Sequence, residues 1–136
     1  MVTIHIVYEG QLRCRLVHEQ SGEKILTDAP KDNMGKGEAF SPTDLVASAL
    51  GSCMLTVMGI AAQKNNVDLK GTKVTVTKEM IALPVRRIGK ITVIFDMASG
   101  IDKEKRSLLE KTAMTCPVHK SLHPDVQTPT TFRYPD

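Results

Sequence analysis

Eighteen consecutive residues, Leu45 to Ala62, carry no charge, and any fold for this chain must find them a place away from water. Eighteen is the lower limit of a membrane span. The run contains Ser48, Gly51, Ser52, Thr56 and Gly59 and lacks flanking aromatic anchors, so a helix buried inside a soluble protein is the better expectation. Ser41-Pro42-Thr43-Asp44 reads as its start, with Ser41 as N-cap, Pro42 at the first helical position and Asp44 three residues after the cap. The helix is predicted to continue to about Lys64, where Asn65-Asn66 and Gly71 end it.

Elsewhere the pattern alternates with period two. Thr3 to His18 predicts two strands about a turn at Glu9-Gly10-Gln11, and Lys24–Thr27 a third. Asp28–Ser41, rich in Gly, Asp, Asn and Lys, is predicted as a loop. Strands follow at Lys73–Ala82 and Gly89–Met97. Asp102 begins a second helix with Leu108, Leu109, Thr112, Ala113 and Cys116 on or near one face, and Pro117 marks where it bends or stops. Thr128–Tyr134 reads as a last short strand. The order βββ-α-ββ-α-β predicts an α+β fold, a mostly antiparallel sheet with a long buried central helix, in one domain spanning residues 1–136. A sheet hides one side of that helix. The small residues on the other side suit close approach of a partner helix, which predicts a homodimer.

With no Trp, three Phe and two Tyr, the core must be aliphatic and nothing resembles a base-stacking platform. The net charge of +3 is scattered without runs, which argues against nucleic-acid binding. The first residues, Met-Val-Thr-Ile-His-Ile, lack a basic segment followed by an apolar signal region, so a cytoplasmic protein without a membrane partner is expected. Three cysteines cannot all pair within one chain. No Cys-x-x-Cys is present, and Cys116 with His119 supplies only two ligands, so neither a metal nor another cofactor is expected. Thiol chemistry or plain burial remains.

Two segments carry the chemistry. Phe40-Ser41-Pro42-Thr43-Asp44-Leu45-Val46-Ala47-Ser48-Ala49-Leu50-Gly51-Ser52-Cys53 resembles the OsmC/Ohr signature, in which a Pro-led helix bears a peroxidatic cysteine. Thr115-Cys116-Pro117-Val118-His119-Lys120-Ser121-Leu122 resembles that family's resolving-cysteine motif. The resemblance implies an intertwined homodimer with two interface active sites and a thiol-dependent peroxidase acting on organic hydroperoxides. In that chemistry Cys53 becomes a sulfenic acid, Cys116 condenses with it, and a thiol reductant restores both.

A thiol on an uncharged helix needs help to ionise, because burial disfavours the charged form. In the Ohr-like branch an arginine on an early strand supplies it, held by a glutamate at the start of the cysteine helix. Arg13 and Arg15, which share a strand face, are the candidates, with Arg86 and Arg87 as second choices. The position after Pro42 is Thr43 rather than glutamate, which leaves Asp44 or Glu38 as the orienting carboxylate. Glu38, Thr43, Met54 and His119 are the expected binding residues. His119 and His123 are possible proton donors to the departing alkoxide or simply parts of a polar rim, and Cys14 is expected in the core. Two other readings stay open: a small-ligand-binding module without catalysis, and a hydrolase using Cys53 with His119 as base.

Overall fold

Alternation in the first residues produces the expected meander: β1 (Ile4–Gly10), β2 (Arg13–His18) and β3 (Lys24–Asp28) pair antiparallel in that order. The computed structural model describes every residue from Met1 to Asp136, and the chain divides into two compact units, Met1–Val46 and Ala47–Asp136. In the first unit the β1–β2 register slips between Tyr8 and Gly10, a bulge that lets Gly10, Gln11 and Leu12 turn with positive φ. The Leu12 N–H donates to the Tyr8 hydroxyl at 3.1 Å. Strand β3 extends one residue beyond its expected end, so that Asp28 lies directly opposite Arg13. The loop that follows is closed at its base, where the Asp28 N–H donates to the Phe40 carbonyl at 3.0 Å. Gly35 is required inside it, since a Cβ there would overlap the Ala29 carbonyl. Ile4, Ile6 and Tyr8 along β1 and Ile25 on β3 remain exposed.

Helix α1 (Pro42–Lys64) begins and ends where its sequence signals place it. Ser41 and Asp44 cap it reciprocally: the Ser41 hydroxyl accepts the Asp44 N–H at 3.0 Å, and the Asp44 carboxylate accepts the Ser41 N–H at 2.9 Å. Ala47, Leu50, Gly51, Met54, Met58 and Ala62 form a buried stripe at helical spacing. Ala49, Ser52, Thr56 and Ile60, on the opposite side, are exposed. The helix is thus buried on one face within the chain, a narrower burial than its apolar composition suggests.

The second unit adds β4 (Lys73–Ile81), β5 (Arg87–Asp96), α2 (Lys103–Ala113), α3 (Pro117–Ser121) and β6 (Thr130–Arg133). Strands β4 and β5 pair antiparallel and β6 joins β5 in parallel, giving a second three-stranded sheet. Ile91, Val93 and Phe95 alternate inward from β5 and are fully buried, as are Leu109 and Ala113 of α2. Phe95 stacks on Phe132 with ring centroids 4.7 Å apart. Pro117 does not bend α2. That helix stops at Ala113, and Pro117 opens α3, where a fixed φ and a missing N–H cost nothing. The shift makes Cys116 the N-cap of α3.

Gly51 sets how closely α1 approaches β4. A Cβ at this position would lie 2.8 Å from Val76 Cγ1 and 3.2 Å from Val74 Cγ1. Overpacking of this kind costs roughly 1–3 kcal/mol, against about 1 kcal/mol gained from alanine's helix propensity. Gly51→Ala is therefore expected to destabilise the protein by about 1 kcal/mol, read as a lower urea midpoint with an unchanged slope.

Candidate functional site

The second unit brings the two motif cysteines together. Cys53, three turns into α1, is half-buried, and Cys116 is fully buried between α2 and α3. Both are free thiols, and Cys53 is near enough to act on the Cys116 thiol. The Cys116 sulfur caps α3 by accepting the His119 N–H at 3.3 Å. Burial raises the Cys116 thiol above its ordinary value of 9.0, the neighbouring Cys53 raises it further, and the His119 N–H opposes both. The His119 imidazole pairs through Nε2 with the Thr128 hydroxyl at 3.1 Å, while its Nδ1 is buried without a partner. Met54 is fully buried in the core stripe of α1.

The first unit holds the candidate cations. Arg13 donates from Nε to Asp28 Oδ1 at 2.7 Å and from a terminal nitrogen to Oδ2 at 2.9 Å, a bidentate geometry that fixes the plane of the guanidinium. Asp28 is 1% exposed and also accepts the Glu38 N–H at 3.1 Å. Its carboxyl is held below the ordinary value of 3.8, first by the Arg13 hydrogen bonds and further by the Glu38 and Ala39 N–H groups, against the opposing effect of burial. Arg13 is raised in turn, chiefly by the same hydrogen bonds. The Glu38 carboxylate stands 3.8 Å from Arg13 as a second, more exposed counter-charge. Arg15 pairs instead with Glu9 at 3.6 Å. Thr43 lies 3.2 Å from the Ser41 hydroxyl and Asp44 completes the helix cap, so both serve the start of α1. Cys14 is half-buried rather than a core residue.

Asp28 is the residue that sequence reasoning missed. The signal was present in the register: continuing the antiparallel β2–β3 pairing by one residue sets a carboxylate opposite Arg13. A groove of about 370 Å³ between α1 and β4 is lined by Ser48, Gly51, Ser52, Leu55, Val74 and Val76. Cys53 lies about 200° around the helix from Gly51, so the groove does not belong to the thiol site. No cluster of three or more His, Cys, Asp or Glu side chains is placed to hold a metal ion.

Chemically, two neighbouring thiols, one half-buried and one fully buried, are suited to pass between dithiol and disulfide. A sequence profile described as OsmC-like protein matches residues 35–130, a span that includes both cysteines. The chain belongs to the OsmC-like family. A solved structure from Psychrobacter arcticus 273-4, provisionally described as an osmotic stress induced and detoxification response protein, is 45% identical, with 98% of this chain and 96% of that one covered and a TM-score of 0.92. Two further solved structures share the fold at low identity. An organic hydroperoxide resistance protein OsmC from Legionella pneumophila is 16% identical, with coverage of 97% and 96% and a TM-score of 0.78. An organic hydroperoxide resistance protein from Elizabethkingia anophelis is 14% identical, with coverage of 98% and 96% and a TM-score of 0.77. No curated protein matches the chain.

Proposed function

We propose that this OsmC-like protein is a thiol-dependent peroxidase that reduces organic hydroperoxides. The observation that carries the reading is the placing of a half-buried Cys53 on α1 and a fully buried Cys116 at the N-cap of α3, with Cys53 near enough to raise the Cys116 thiol. The Cys53 thiolate attacks the distal oxygen of ROOH, the O–O bond breaks, and ROH leaves after taking a proton. Cys53 is then a sulfenic acid. Cys116 forms the S–S bond as the S–O bond breaks, water departs, and two equivalents of an external thiol reductant return both cysteines to thiols. A cytoplasmic location would supply that reductant.

The family resemblance makes Arg13 the proposed activating cation, and within its own unit Asp28 is the carboxylate that holds it. A guanidinium fixed in a bidentate pair is directional in a way that a mobile lysine is not. Arg15, paired with the more exposed Glu9, is the weaker candidate. Organic peroxides should be preferred to hydrogen peroxide. With a dithiol as reductant, the protein is expected to consume cumene hydroperoxide catalytically and hydrogen peroxide more slowly. Absence of turnover with either would reject the reading.

The working species is proposed to be a homodimer. Ile4, Ile6, Tyr8 and Ile25 on the first sheet and the exposed side of α1 are apolar or small surface of the kind that association covers. Sedimentation equilibrium should return twice the chain mass of 14.9 kDa, and a single-chain mass at micromolar concentration would contradict the proposal.

A further inference from the structure

We propose that the tip of the β4–β5 hairpin is a membrane-surface contact, seating two aliphatic side chains and two arginines among anionic lipid headgroups. Pairing of the strands runs out to Ile81 opposite Arg87, which leaves residues 82–86 as the tip, all of them exposed. Leu83 is 82% and Val85 61% exposed, more than any other large apolar side chain of the second unit. The arm beneath them is closely packed. The Ile81 side chain covers Gly89, where a Cβ would lie 2.5 Å from Ile81 Cγ2, and Ile88 is buried. Arg87 donates from Nη1 to the Ile88 carbonyl at 3.0 Å. A paired and packed hairpin therefore holds Leu83 and Val85 out into solvent.

Charge selects the partner. Residues 80–95 include Arg86, Arg87 and Lys90 and no acidic residue. Glu79, just before this stretch, stands 3.7 Å from Lys90 and leaves the hairpin end net positive. An exposed tip of so few residues falls short of the roughly 1,000 Å² that a specific protein interface buries. A bilayer surface makes no such demand: aliphatic groups enter the boundary of the acyl chains while guanidinium groups meet lipid phosphates. Lack of an apolar signal region bears on crossing a membrane, not on contact with its surface. The contact needs neither Cys53 nor Cys116, so it stands or falls apart from the peroxidase reading.

The test is co-sedimentation of the full chain with vesicles of phosphatidylcholine alone, or of phosphatidylcholine and phosphatidylglycerol in equal parts, across a salt series. The parent protein is expected to sediment with the anionic vesicles at low salt, to remain in solution with phosphatidylcholine alone, and to be released as salt rises. The double variant Leu83→Ser/Val85→Ser should lower the partition coefficient about tenfold, and Arg86→Gln alone about fivefold. All three side chains are exposed, and circular dichroism checks that each variant folds. No retention of the parent on anionic vesicles, or equal retention of the parent and the serine variant, would overturn the proposal. So would a fall to single-chain mass in the serine variant but not in the parent, which would assign the tip to contact between copies of the chain.

Discussion

Cys53→Ser is expected to reduce hydroperoxide turnover to the uncatalysed background, a loss of at least about a thousandfold, while Cys116→Ser retains a single rapid event. The two cysteines are neighbours yet are proposed to have different tasks. A serine hydroxyl at position 53 is far less acidic than a thiol and cannot carry the oxidised oxygen, so no step begins. With Cys116 replaced, Cys53 still meets the peroxide and releases the alcohol, but no neighbouring sulfur completes the cycle. One equivalent of alcohol should appear per chain in a burst, and the trapped sulfenic acid should react with dimedone. Slow turnover through an external thiol would follow. Equal loss of the burst in both variants would mean that the residues act as one nucleophilic unit, contrary to the roles assigned.

Asp28→Asn is expected to show the second largest effect, a lower urea midpoint at neutral pH from loss of the bidentate Arg13 pair. Asparagine keeps the shape of Asp28 but not its charge, and it offers one carbonyl oxygen where the Arg13 fork now meets two carboxylate oxygens at 2.7 and 2.9 Å. The guanidinium is then free to turn toward Glu38, 3.8 Å away and more exposed. Rescue by Asp28→Glu would be partial, since the longer side chain must refit a site that is 1% exposed. The same pair makes a pH prediction. The Asp28 carboxyl is held below its ordinary value of 3.8, so the folded state binds this proton less readily than the unfolded one. Stability from the pair is fully present above the unfolded value and is lost as pH falls through the lower folded value. Asp28→Asn should therefore weaken the protein at neutral pH and flatten its stability loss below pH 4, seen in urea midpoints across an acid series. A steep acid limb retained in the variant would place the titration elsewhere.

The long helix was the most legible part of the chain, because an uncharged run preceded by Ser-Pro-Thr-Asp leaves a helix little choice of start. The alternating strands were nearly as plain. How the strands divide between two sheets, and the parallel docking of β6 on β5, depend on packing that a period-two pattern does not encode. Pro117 is compatible with ending one helix and with starting another, and only the stop of α2 at Ala113 decides between them. The thiol pair was legible through the resemblance alone, since a separation of 63 residues says nothing about contact. Asp28 was hidden by a strand boundary set one residue short, and boundaries are where sequence patterns are weakest. Met54 was expected at the site and lies instead in the buried stripe, where its spacing from Leu50 and Met58 puts it.

The most direct test is a count of thiols. Reduced protein is treated with one equivalent of cumene hydroperoxide per chain, then mapped by peptide mass spectrometry without reduction. The account predicts the loss of two thiols per chain, a peptide pair joined through Cys53 and Cys116, and an unmodified Cys14. Persistence of both Cys53 and Cys116 as free thiols after prolonged exposure, or a bond from Cys53 to Cys14 instead, would contradict it.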